Sequence, residues 1–232
     1  FDRFLKGDTE AFTAPPGVVI DVHSDRWDFA QLEANAWPLP GTRFDSLYPD
    51  GESSDLVTTQ PAASRTSLAC GTPATPGSRL IFEHRFDTAT DLIGHGALHL
   101  TLVSESTPTI DLFVGIEKLN TNGDVVPFFS ASGGGANGPV TRGWLRSDFR
   151  GLDAETSRPE RPVRDRTDQG PLPDGEPVDV AIPLMPFAVH FGPGESLRLV
   201  VQTWSVKDCW EGGVLSDWDI VTQGSCRILT GA

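Results

Sequence analysis

The chain is built from short apolar runs of period two, each closed by a turn signal. Val18, Ile20 and Val22 share one side of an extended segment, as do Leu80 and Phe82. Leu98, Leu100 and Leu102 come next, then Leu112, Val114 and Ile116. Val178, Val180, Ile182 and Leu184 follow, and Leu197, Leu199 and Val201 form the last run. Side chains alternate across a strand, so this spacing predicts half-buried strands with one face turned inward. Leu100 should therefore point into the core and Thr101 away from it. Asn122-Gly123-Asp124, Pro173-Asp174-Gly175 and Gly192-Pro193-Gly194 stand between runs and read as turns. With 24 Gly and 19 Pro among 232 residues, long helices have little room. The expected fold is all-β: a two-sheet β-sandwich of jelly-roll type, with long loops and a short helical remnant at the N-terminus.

Two segments depart from period two. Phe1, Phe4 and Leu5 fall on one helical face and Gly7 is a plausible stop. So short a helix does not persist alone in water. Phe1, Phe4 and Leu5 are therefore candidates for contact with another domain. Asp28 to Ala36 reads as a second short helix, ended at Trp37-Pro38 because proline cannot continue it. Residues 153–171 are rich in charge and proline without a period, as expected of a long surface excursion. Gly133-Gly134-Gly135 with Gly138-Pro139 reads as a loop. It lacks the following Lys-Ser/Thr that a phosphate cradle requires.

Asp plus Glu number 32 and Lys plus Arg 18, a formal net charge of −14. Nucleic acid and anionic membranes are polyanions that need a basic footprint, so neither is an expected partner. No run of about 18 apolar residues offers a spanning helix. No basic segment followed by an apolar one opens the chain as a secretory signal would. The expectation is a soluble protein, with the cytoplasm favoured. Cys70, Cys209 and Cys226 are too few and too widely spaced for a disulfide framework or a C-x-x-C metal site. Cys209 and Cys226 would bridge only if their segments lie side by side. The alternative is small buried thiols.

Catalytic chemistry is mostly missing. A serine hydrolase of α/β type needs its nucleophile on a strained elbow, usually Gly-x-Ser-x-Gly, and no such pentapeptide occurs. His95 and His99 would project from one side of a strand about 13 Å apart, too far for one tetrahedral ion. No metal or cofactor is expected. Trp210 and Trp218 lie among Asp208, Glu211, Asp217 and Asp219. Exposed indoles beside carboxylates suit a sugar, whose apolar face stacks on the ring while hydroxyls bond the acids. The competing and favoured reading has Trp27, Trp37, Trp144, Trp204, Trp210 and Trp218 filling the core or burying against a neighbouring domain.

Five stretches, in order along nearly the whole chain, carry a family resemblance. Phe1-Asp2-Arg3-Phe4-Leu5-Lys6-Gly7 looks like the helix that ends an α/β-hydrolase domain. Trp27 to Glu33, with Asn35, Ala36, Trp37, Pro38, Leu39 and Pro40, resembles a W…E…WP.P signature. Leu92-Ile93-Gly94-His95-Gly96, Leu98, Leu100, Val103-Ser104 and Asp111-Leu112 resemble ITG…L.L.VSS…D.DL. Gly143-Trp144-Leu145-Arg146-Ser147 resembles G.LR.S. Gly175-Glu176-Pro177-Val178, Ile182-Pro183-Leu184, Phe191 and Leu197-Arg198-Leu199 resemble the strands that follow. Together they are similar to the C-terminal, galactose-binding-like domain of the X-prolyl dipeptidyl-peptidase, cocaine esterase and α-amino acid ester hydrolase family.

The resemblance implies a division of labour. Residues 1–12 would end a preceding α/β-hydrolase domain and linker, and residues 13–232 would form the jelly-roll domain. The Ser-Asp-His triad would sit on the preceding domain, so no catalytic residue is assigned to this chain. Its implied partner is that hydrolase domain, which it would support together with a lid domain. Association into homo-oligomers is left open. The alternative function is a self-standing carbohydrate-binding jelly-roll module, for which the helical remnant at Phe1–Gly7 would have no use.

Overall fold

The computed structural model describes residues 5–8, 17–71, 73–129, 137–204 and 224–230. In chain order the strands begin with β1 (Val18–His23), β2 (Phe29–Ala34), β3 (Tyr48–Pro49), β4 (Leu56–Val57), β5 (Ser64–Cys70) and β6 (Arg79–Arg85). They continue with β7 (Thr90–Gly94), β8 (Ala97–Ser104), β9 (Asp111–Leu119), β10 (Val125–Val126), β11 (Phe128–Phe129) and β12 (Asn137–Gly138). The last five are β13 (Thr141–Arg146), β14 (Pro177–Pro183), β15 (Phe187–Phe191), β16 (Ser196–Gln202) and β17 (Gly224–Thr230). Among the described residues no helix is long and apolar enough to cross a membrane.

One sheet has the order β10-β9-β16-β6, with β13 added on β9; a second runs β14-β8-β17-β5. A third, β2-β1-β15-β7, includes the parallel pairing of β1 with β15, where His23 lies opposite Val189. The period-two runs supply the interior. Leu98, Leu102, Val180 and Ile182 come from the second sheet, and Leu112, Val114, Ile116, Leu197, Leu199 and Val201 from the first. Val189 and Phe191 of β15 join the same cluster. The β-sandwich expected from alternation is thus the fold found. Val22 is buried but lies outside that cluster, and Val18 and Ile20 are only half-buried. Their run marks the opposite face of the third sheet from Val189 and Phe191, so alternation located the strand without saying which face meets the main core.

The helix expected over Asp28–Ala36 is instead the edge strand β2. Its register on β1 sets Ala30 opposite Val22, Leu32 opposite Ile20 and Ala34 opposite Val18. Ala, Gln, Leu and Glu favour a helix, but the per-residue preference is a few tenths of a kcal/mol and an isolated short helix is marginal. A complete antiparallel ladder with β1 outweighs it.

The turns behave as the sequence indicates. Gly123 has φ +87° in the β9–β10 turn, where Asn120 Oδ1 accepts the amides of Asn122 and Asp124. The excursion over 153–171 is irregular, but it is fastened to the sandwich by side chains reaching backbone carbonyls. Arg150 donates to the carbonyls of Ser147, Gly170 and Gln169. Arg164 donates to those of Arg150 and Ala181, and His99 Nε2 to that of Pro159 at 2.7 Å.

The outward face of the first sheet carries ion pairs across its strands. Arg198 on β16 meets Glu83 on β6 at 2.8 Å, and Arg79 on β6 meets Glu117 on β9 at 3.2 Å. On the second sheet Leu100 packs against the core, while Thr101 Oγ1 donates to Asp179 across the β8–β14 pair at 2.5 Å. A carboxylate at 101 would therefore face Asp179, so a neutral side chain is the proper control for that face. Leu102 is fully buried. Leu102→Ala should cost about 2–5 kcal/mol and Leu102→Asp should abolish folding. Thr101→Asn should stay within about 0.5 kcal/mol of the parent, as surface changes usually do. Urea melts of the three variants check this. Equal midpoints for Leu102→Ala and Thr101→Asn would mean that the register is wrong.

Candidate functional site

Exposed aromatic residues gather where the β1–β2 turn meets β11. The turn spans Ser24–Asp28 and its backbone is tied at several points. Ser24 N–H donates to the Asp28 carbonyl at 2.9 Å, and Ser24 Oγ donates to the Asp28 carboxylate at 2.7 Å. Asp25 Oδ1 accepts the amides of Trp27 at 2.6 Å and Asp28 at 2.8 Å. The amide of Arg26 donates to the Pro127 carbonyl at 3.0 Å, which joins the turn to the segment leading into β11.

The turn is also held from below. Lys118 on β9 is only 2% exposed, and its ammonium donates to the Ser24 carbonyl at 3.0 Å and the His190 carbonyl at 2.8 Å. It pairs with Glu195 at 2.7 Å and lies 5.7 Å from the centre of the Phe191 ring. Glu195 accepts the Gly192 amide as well, at 2.6 Å. A buried ammonium is tolerated only when its donors are satisfied. Here two carbonyls and a carboxylate do so, and one of the carbonyls belongs to the turn.

What this scaffold presents is Trp27, 70% exposed. Its ring stands edge-on to Phe129 at 4.6 Å between centroids, with the Arg26 guanidinium 5.5 Å away. Phe29, also exposed, lies 5.2 Å from the His23 ring. Beside them is a groove of about 190 Å³ lined by Asp21, His23, Phe128, Phe129, Val140 and Phe187. Small-molecule sites usually occupy about 300–1,000 Å³, so the groove suits one inserted side chain better than a substrate.

Trp27, Trp37 and Trp144 do not fill the core, which leaves burial against a neighbouring domain from the expectation stated for them. Trp37 is exposed and approaches His95 at 6.2 Å. Trp144 on β13 is 61% exposed, beside the paired Arg146 and Asp111 on the same outward face. The two hydrogen bonds that Arg146 donates to the Asp111 carboxylate raise its pKa above the ordinary value. Trp204 is half-buried, and its Nε1 donates to Ser78 Oγ at 3.4 Å. Trp210 and Trp218, the sugar-stacking candidates, lie outside the described residues, as do Cys209, Phe1 and Phe4. Leu5 is described and 75% exposed. Cys70 is a buried free thiol.

His95 and His99 are not on one side of a strand. β7 ends at Gly94, whose φ of +135° breaks the ladder, and β8 resumes at Ala97. The expectation of one extended strand through His95 and His99 fails because the chain leaves the ladder over His95 and Gly96. Among the described residues no group of His, Cys, Asp or Glu is placed to hold a metal ion. The sequence analysis assigns no turn to Ser24-Asp25-Arg26-Trp27-Asp28. Asp25 two residues before an exposed aromatic was the available signal, since Asp readily caps its own turn.

Residues 10–212 match the family of X-Pro dipeptidyl-peptidase C-terminal non-catalytic domains. No curated protein matches the chain. Among solved structures it is similar to a CocE/NonD family hydrolase from Staphylococcus aureus, at 27% identity and a TM-score of 0.90, over 100% of this chain and 42% of that one. An aminopeptidase from a marine sediment archaeon, Thaumarchaeota archaeon, is similar at 14% identity and a TM-score of 0.65, over 99% of this chain and 40% of that one. An α-amino acid ester hydrolase is similar at 12% identity and a TM-score of 0.57, over 87% of this chain and 37% of that one. The last two likenesses show the fold alone. The chain spans less than half the length of each of these proteins.

Two outcomes are expected from the anchored turn. Backbone hydrogen bonds from Trp27 and then Asp28 hold the Asp25 carboxyl below its ordinary pKa of 3.8. A depressed folded-state pKa means that the capping contribution is complete above 3.8 and is lost as pH falls through the lowered value. The amide resonances of Trp27 and Asp28 should shift together in an acid titration with a midpoint below 3.8. A midpoint at or above 3.8 would contradict the cap. Lys118→Met strands the Glu195 carboxylate and two carbonyls, and should cost about 3–5 kcal/mol in a urea melt. A cost below 1 kcal/mol would show that the ammonium is dispensable.

Proposed function

Because the chain belongs to the family of X-Pro dipeptidyl-peptidase C-terminal non-catalytic domains, we propose that it is the accessory β-sandwich of a serine hydrolase acting on X-Pro peptides or esters. The single observation that carries this reading is the family match across most of the chain. Its full-length likeness to a CocE/NonD family hydrolase more than twice as long supports it. In this reading the Ser-Asp-His triad resides on an α/β-hydrolase domain N-terminal to the sandwich. The sandwich buttresses that domain and its lid, closing one wall of the active site and excluding water.

Residues 1–12 would then be the end of the hydrolase domain and its linker, and residues 13–232 the sandwich. The family match beginning at residue 10 supports such a boundary. Exposed Leu5 suits the contact assigned to it together with Phe1 and Phe4. The net charge of −14 supports a protein partner over nucleic acid.

The reading is tested with the 232-residue chain and its parent gene. The isolated chain should not turn over an Ala-Pro anilide or a phenyl ester above the buffer rate. The coding sequence upstream of Phe1 should contain a Gly-x-Ser-x-Gly elbow. A saturable rate in the isolated chain that a serine-directed fluorophosphonate abolishes would overturn the proposal.

A further inference from the structure

The geometry points to the Trp27 turn, with Phe29, Phe129 and the adjoining groove, as the surface on which the sandwich docks against the α/β-hydrolase domain of its own parent chain. This assignment rests on the accessory-domain reading and names the face that performs it.

Preorganisation is the first ground. Solvent exposes Trp27, yet the backbone beneath it is fixed by the Asp25 cap, the Arg26–Pro127 hydrogen bond and the buried Lys118 ammonium. A turn that only connected two strands would need none of the links to β9 and to the segment before β11. Fixing an indole before it meets a partner removes the ordering cost from association, and Trp and Arg are the residues most enriched at binding hot spots. Trp27 and Arg26 are adjacent here and 5.5 Å apart.

The occupant follows from the surroundings. The groove is small for a free metabolite but suits one side chain of a protein surface, and Asp21 with His23 at its wall suits a polar or cationic tip. A second copy of this chain would bring a further net charge of −14 against the first, which opposes self-association. A hydrolase domain would lie on the N-terminal side, and β1, which leads into the turn, is the first strand among the described residues. A tethered partner meets such a face at a high effective concentration.

Hydroxyl-radical footprinting of the full-length parent tests the assignment with an internal reference. Trp27 and Trp144 are similarly exposed in the sandwich, at 70% and 61%, so without docking they oxidise at similar rates. Docking at the turn should slow Trp27 at least tenfold relative to Trp144. Trp27→Ser, a surface change, should leave the sandwich folded but split the urea melt of the parent into two separated transitions. Equal oxidation of the two indoles, or protection of Trp144 alone, would overturn the assignment. Protection that disappears on dilution to a monomer would also overturn it, by making a second copy the occupant. None of these outcomes touches the accessory-domain reading, which fails instead if the parent lacks the elbow and hydrolyses neither substrate class.

Discussion

Lys118 is the one buried cation of the described interior, and three parts of the fold converge on it. Its own strand, β9, is flanked by β16 and β13 in the first sheet. The His190 carbonyl comes from β15 in the third sheet, and the Ser24 carbonyl from the β1–β2 turn. Glu195, in the turn that leads into β16, balances the charge and fixes the Gly192 amide of that turn. An apolar side chain at 118 would fill space but would leave these acceptors unsatisfied in a site nearly closed to water. The pairing therefore specifies how the third sheet and its exposed turn sit on the sandwich, a task that non-directional burial does not perform.

From that anchor the functional reading follows. A domain of a non-catalytic family has surfaces to offer. Those surfaces differ. The outward face of the first sheet is laced with ion pairs such as Arg198–Glu83 and suits water. The outward side of the second is partly covered by the excursion that Arg164 and His99 fasten down. The Trp27 turn differs from both in presenting an exposed indole beside Phe129, with the Arg26 guanidinium 5.5 Å from it. An exposed aromatic cluster on a tied backbone is the feature on which the proposed docking face rests.

The resemblance legible in the primary structure and the match over residues 10–212 lead to the same family. The signatures that carried the resemblance serve backbone tasks in the structure. Trp37-Pro38 ends the region after β2 rather than a helix, and Gly94 marks the break between β7 and β8. Gly143 lies so close to the Pro183 carbonyl that an added Cβ would collide with it. A family can be recognised from such residues while the local structure around them is misread.

What the sequence determined by itself was the β-sandwich, its main strands and most of its core. Leu98, Leu102, Leu112, Val114, Leu197 and Leu199 alternate strictly, and a strand with one buried face has no other way to write itself. Turns at Gly123 and Gly175 were equally legible, since both adopt positive φ, which costs glycine nothing. Only the tertiary structure decided the rest. Phe29–Ala34 became a strand because β1 lay beside it. Trp27 and Trp144 lie on the surface and not in the core, a choice that their hydrophobicity left open. Lys118 went inside, although its charge argued against it. Each of these outcomes depends on partners distant in the chain: Val22 for Ala30, Pro127 for Arg26, and Ser24, His190 and Glu195 for Lys118. Local pattern carries the period of a strand, but which carbonyl an ammonium will find is set only when the sheets meet.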